Sequence, residues 1–77
     1  MSQAMAQHKR MTAEALELVE EYGRYVSYPT AAKITTASER TLKRLTALGQ
    51  LPCYKIGRAR VLRLKTVDVA ALIQRVA

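Results

Sequence analysis

Residues 38–64 read SERTLKRLTALG and then QLPCYKIGRARVLRL, a helix-like segment followed by a hairpin-like one. Ser38 is a good N-cap, Glu39 in the first turn suits the positive end of the helix dipole, and Gly49 suits the end of the helix. Within that helix Leu42, Leu45 and Leu48, with Thr41, are expected to form an inner stripe. Arg40, Lys43, Arg44 and Ala47 recur at i, i+3, i+4, i+7 and make a second, outer face. Three cations beside one small residue form a surface that can enter a nucleic-acid groove closely, because a bulky residue in place of Ala47 would hold the backbone away from base edges. In the second segment Tyr54, Ile56, Val61 and Leu62 flank a four-residue loop that contains Gly57 and carries Arg58 and Arg60, as a β-hairpin does. Val61 and Leu62 are both apolar, so the sequence leaves the register open.

The charge count agrees with this division. Arg40, Lys43, Arg44, Lys55, Arg58, Arg60 and Arg63 against Glu39 leave 7 − 1 = +6 of the chain's formal +7 in these 27 residues. Residues 1–23 hold two basic and four acidic groups, net −2, whereas residues 24–77 hold eleven and two, net +9. Charge concentrated on one helix and its adjoining hairpin points to a polyanionic partner at that surface.

Upstream, Ser27-Tyr28-Pro29-Thr30 is a helix start, since Ser27 can cap free N–H groups and Pro29 is tolerated in a first turn. Thr35 and Thr36 are poor helix formers, so a turn near 35–37 is expected to part this helix from the next and complete a helix-turn-helix over 28–48. Before it, Thr12 can cap a helix over 12–22 with Ala15, Leu16, Val19 and Tyr22 on one stripe, ended by Gly23. Glu14, Glu17, Glu20 and Glu21 fall on or beside its opposite face, as a solvated surface or as a contact for a neighbour's basic patch. Residues 1–11 are expected to be a flexible start. Thr66 is expected to cap a last helix over 67–76, whose Val69, Leu72, Ile73 and Val76 would close the core. The predicted fold class is mainly α with a small β-hairpin, a winged helix-turn-helix with an added N-terminal helix, in a single domain over 12–77.

At 77 residues the chain has room for one domain, which buries only about 60 % of its unfolded surface. No catalytic set can be assembled: the one histidine, His8, lies in the presumed tail, and the acids cluster on one helix face, so no enzyme activity is expected. One His and one Cys fall short of a metal site, and no cofactor is expected. A phosphate-cradling loop would need a Gly-rich run, and the three glycines are isolated. RNA readers stack bases on exposed aromatics, whereas this chain has no Trp or Phe, and Tyr22, Tyr25 and Tyr28 are expected to pack the first helix onto the core. The basic helix lacks an opposing Trp/Phe-rich face for a membrane surface, and the longest apolar run, Val69 to Ile73, is far short of a span. The single Cys53 and a start without an apolar leader fit a reducing, cytoplasmic setting.

Taken in order, Val26-Ser27, Ala31-Ala32, Ser38-Glu39-Arg40-Thr41-Leu42, Gly49-Gln50-Leu51-Pro52, Ile56-Gly57-Arg58 and Asp68-Val69 make the segment from Tyr25 to Ile73 resemble the MerR-like winged-helix excisionases of temperate phages, also called recombination directionality factors, and in particular those of phages infecting actinobacteria. The chain departs from that family at Thr30, where Glu is frequent and would form a reciprocal capping box, at Lys65, where Ser or Asp usually caps the last helix, and in its acidic helix. The resemblance implies a double-stranded DNA-binding architectural protein that binds tandem sites cooperatively and head-to-tail with other copies of itself. Such a protein bends DNA and directs a phage integrase, a tyrosine recombinase, toward excision in the host bacterial cell. It implies major-groove roles for Arg40, Lys43, Arg44 and Ala47 and wing contacts to the minor groove by Arg58 and Arg60. Ser38, Thr41, Lys55 and Arg63 would then meet the DNA backbone. The same fold also serves small phage or bacterial transcription regulators, and that alternative stays open at the level of sequence.

Overall fold

Helix α1, Ala13–Tyr22, opens the part of the chain that the computed structural model describes, residues 12–58 and 60–76. The flexible start expected over residues 1–11, and Ala59 in the hairpin loop, lie outside the described residues. Thr12 caps α1 by accepting the Ala15 N–H at 3.1 Å. Gly23 ends the helix at φ +93°, in the left-handed region that glycine occupies at least cost. Ala15 is buried and Leu18, Val19 and Tyr22 are half-buried, so the inner stripe runs 15, 18, 19, 22. Leu16, expected on that stripe, turns out to solvent, because it falls one position off the spacing that one helix face allows.

Strand β1, Tyr25–Val26, follows, then helix α2, Tyr28–Thr35, and helix α3, Glu39–Ala47. The two helices start on the same device. Ser27 accepts the Thr30 N–H at 3.3 Å and donates to the Thr30 hydroxyl at 3.2 Å, while Ser38 accepts the Thr41 N–H at 3.1 Å and donates to the Thr41 hydroxyl at 3.0 Å. Thr30, which lacks the reach of the Glu usual in a capping box, thus supplies a hydroxyl that receives the cap's own proton. Three residues, 36–38, join α2 to α3, and Thr36 takes the left-handed conformation at φ 60°, unusual for a β-branched side chain. Thr35 braces this turn: its hydroxyl donates to the Ala31 carbonyl at 2.9 Å and accepts the Ala37 N–H at 3.2 Å.

Strands β2, Tyr54–Ile56, and β3, Val61–Lys65, form the hairpin, and helix α4, Thr66–Ala71, follows directly. The sheet has three antiparallel strands in the order β1-β3-β2, the first of them too short and isolated to leave a periodic signal in the sequence. The register pairs Tyr54 with Arg63, Lys55 with Leu62 and Ile56 with Val61, and on the other side Val26 with Leu64 and Tyr25 with Lys65. Alternation then puts Leu62 and Leu64 on the face toward the helices and Val61, Arg63 and Lys65 on the outer one. Leu64 is fully buried, whereas Leu62, nearer the loop, is largely exposed.

Val26, Tyr28, Ala31, Leu42, Leu51, Leu64 and Val69 make the core, flanked by Tyr22, Ala32, Ile34, Leu45, Cys53 and Leu72. The architecture is mainly helical with this small sheet. Leu48, expected inside, is 62 % exposed. Helix α3 ends at Ala47, Gly49 reverses the chain at φ +79°, and the Gln50 N–H bonds back to the Leu45 carbonyl at 2.9 Å. That reversal brings Leu51 into the core, while Leu48, six residues after Leu42, lies about 120° round the helix from it, near the exposed Thr41.

Helix α4 is shorter than the expected 67–76. The Leu72 and Ile73 N–H groups turn tightly onto the Val69 and Ala70 carbonyls, both at 3.1 Å, and Val76 is 93 % exposed. Val69 and Leu72 complete the core from this side, while Ile73 and Val76 lie beyond the end of α4 and are exposed. Thr66 is not the cap. Lys65 takes that position without a side-chain bond, and the fully buried Thr66 hydroxyl instead donates to the Gly23 carbonyl, 43 residues away in sequence. Thr66→Val keeps the shape and strands that carbonyl, so a loss of about 1–3 kcal/mol is expected. In a domain of this size each kcal/mol lowers Tm by about 4–8 °C. An unchanged melting temperature would mean that water replaces the hydroxyl.

Candidate nucleic-acid interface

Helix α3 displays Arg40, Lys43, Arg44 and Ala47 together on its exposed face, and the buried Leu42 with the half-buried Leu45 seats the opposite one. The expected grouping of these four residues is therefore present as a surface. Ser38 and Thr41 lie at the exposed start of the same helix, but the cap makes them chemically unequal. The Ser38 proton is committed to the Thr41 oxygen, so Ser38 offers an outside group only acceptor capacity, while the Thr41 proton remains available to an anionic oxygen.

In the hairpin, Gly57 at φ +66° lets β2 turn into the loop that exposes Arg58 and Arg60. Lys55, opposite Leu62, belongs to the helix-facing side of the sheet and is exposed there. Arg63 belongs to the other side, and its Nη1 donates to the carbonyl of its neighbour Leu62 at 2.8 Å. The two backbone candidates on the hairpin thus sit on opposite faces of the sheet, and only Lys55 shares the face that carries the buried Leu64. The exposed Glu14, Glu17, Glu20 and Glu21 on α1 keep negative charge on a separate element.

Three further features were not legible in the sequence. Tyr28, at the first position of α2, is only 8 % exposed, and its hydroxyl lies 2.8 Å from that of Thr46 on α3. Thr46 in turn donates to the Leu42 carbonyl at 3.1 Å, so the Tyr28 hydroxyl is the donor in the link between the helices. The Lys43 ammonium stands over the Tyr28 ring, 5.5 Å from its centroid. Burial pushes the Tyr28 hydroxyl above its ordinary value of 10.0, the Thr46 hydroxyl, which can donate to a phenolate, partly offsets the rise, and Cys53 adds to it. Tyr28 therefore stays protonated, and a donor, at neutral pH.

The outer sheet face is the second feature. Tyr25 and Tyr54 meet edge to face at 6.1 Å, and the Lys65 ammonium covers the Tyr54 ring at 5.1 Å. Tyr25, expected in the core with Tyr22 and Tyr28, is 41 % exposed because the two-residue strand alternates and sends Val26 inward instead. The third is a shallow groove between α1 and α4, bordered by Ala15, Val19, Arg24, Tyr54, Lys65 and Asp68. Among the described residues no helix is long and apolar enough to cross a membrane. No protein-family model, no curated protein and no solved structure matches the chain.

Proposed function

We propose that this chain is a winged-helix DNA-binding protein, with α2 and α3 as its helix-turn-helix and the β2–β3 hairpin as its wing. The single observation that carries this reading is the exposed face of α3: Arg40, Lys43, Arg44 and the small Ala47 on a capped helix, in a chain whose hairpin loop also exposes Arg58 and Arg60. Helix α3 enters the major groove, where the planar guanidinium groups of Arg40 and Arg44 suit bidentate contact to guanine. The wing arginines reach the adjacent minor groove, and bending brings both elements onto the DNA at once. A single module of this kind covers only ~600–1,000 Å² of DNA surface, so copies on tandem sites supply the remaining specificity. In line with the resemblance of Tyr25 to Ile73 to phage excisionases, the biological role is to shape DNA for an integrase and favour excision.

Electrostatics provides the direct test. With about five or six phosphates neutralised, the logarithm of the affinity for a 20-bp duplex should fall against log salt with a slope of roughly −5. Fluorescence anisotropy across a salt series measures it, and a slope near zero would sink the reading. Excision by a cognate integrase, assayed with and without the protein and alongside DNA bending, separates the architectural role from that of a transcription regulator, which would bind without stimulating excision.

A further inference from the structure

Reading bases from one helix face demands that the helix be held at a fixed rotation about its own axis, to within about 10–20° for a productive contact. The hydrophobic seat of α3 is narrow. Leu42 is fully buried and Leu45 half-buried, but Leu48 has left the stripe, and apolar contact is non-directional, so two leucines resist sliding outward better than they resist turning. The directional restraint comes from one flank of the helix. Lys43 and Thr46, three residues apart and so neighbours on the helix surface, both meet the side chain of Tyr28, the first residue of the preceding helix.

Resting on the DNA-binding reading, we propose that Tyr28 is a positioning residue that sets the rotation of the recognition helix. Its hydroxyl pins Thr46 and its ring face holds Lys43 aside, so that Arg40 and Arg44 point to the bases. The chain of donors runs from the Tyr28 hydroxyl at 2.8 Å to the Thr46 hydroxyl, and from there at 3.1 Å to the Leu42 carbonyl, within the helix being positioned. Each bond polarises the next, which favours the linked arrangement over either bond alone. Cys53, directly before β2, is partly buried against the core cluster that holds Tyr28 and Leu42. The Lys43 ammonium, drawn to the ring, contributes its charge to the field around the groove rather than a base contact.

The test uses the full chain, with duplexes that the wild type enriches from a random 20-bp pool and with the unenriched pool itself. Tyr28→Phe keeps the ring and the Lys43 contact and deletes only the hydroxyl, and Thr46→Val removes the partner. Each is expected to lower affinity for the enriched duplex on the order of three- to tenfold, the range a single hydrogen bond spans. Affinity for the unenriched pool and the salt slope should stay at wild-type values, which a merely structural role would not predict. The double variant should lose no more than Thr46→Val alone, because that change already removes the bond that Tyr28→Phe deletes. Equal losses on enriched and unenriched DNA, additive losses, or no loss would overturn the assignment while leaving DNA binding intact. A wild type that binds every duplex alike overturns it too, since there is then no base reading to position. Absence of any DNA binding by the wild type instead removes the proposed function on which the inference rests.

Discussion

Leu64→Ala is expected to lower the stability of the domain by about 2–5 kcal/mol. Leu64 is fully buried on the middle strand, paired with Val26 on β1 and clustered with Leu42, Leu51 and Val69 from three other parts of the chain. A chain of this length has a total stability on the order of 4–12 kcal/mol at about 0.05–0.15 kcal/mol per residue, so the loss is a large fraction of the whole. Thermal unfolding followed by circular dichroism should show a fall of tens of degrees, taking about 4–8 °C per kcal/mol. Leu62→Ala, two residues earlier on the same strand face but largely exposed, serves as the control and should cost far less. If the two variants melted together, the hairpin would not be packed as described.

Arg44→Ala and Arg58→Ala are expected to separate base reading from backbone attraction. A good bidentate contact to a base is worth about 1–3 kcal/mol of discrimination, so Arg44→Ala should weaken binding to a wild-type-enriched duplex by roughly 5- to 150-fold. On the unenriched pool the same variant should lose little. Arg58, on the exposed loop of the hairpin, meets the narrow groove or phosphates, and its removal should weaken binding evenly across sequences and reduce the salt slope by about one. Competition binding at fixed salt measures both. Uniform and equal losses at the two positions would mean that α3 lies along the backbone and reads no bases.

The contrast between Leu48 and Leu51 shows where reading the sequence stops. Both are leucines near the end of one helix, but at about 100° per residue Leu48 lies about 120° from Leu42, beside the exposed Thr41. Leu51 reaches the core because Gly49 turns the chain back, and that depends on where the helix stops. Ile73 and Val76 fail for a related reason, since α4 stops at Ala71 and both lie beyond the helix whose period would have aligned them. Strand β1 is two residues long and held only by β3, 39 or so positions further on, so it has no local signature at all.

By itself the sequence determined what rests on neighbours in the chain: the caps at Thr12, Ser27 and Ser38, the helix ends at Gly23 and Gly49, the hairpin loop at Gly57, and the outward face of α3 with its cations. These follow from backbone geometry and short-range hydrogen bonding, which act over three or four residues. Only the tertiary structure decided what depends on distant partners, namely the third strand, the hairpin register, the Thr66 hydroxyl on the Gly23 carbonyl, and Tyr28 beneath Lys43 and Thr46. Apart from the hairpin register, whose pairs lie 5 to 9 positions apart, those contacts join residues 15 to 43 positions apart. Their selection is a matter of which buried polar groups and apolar faces find each other once the core has formed.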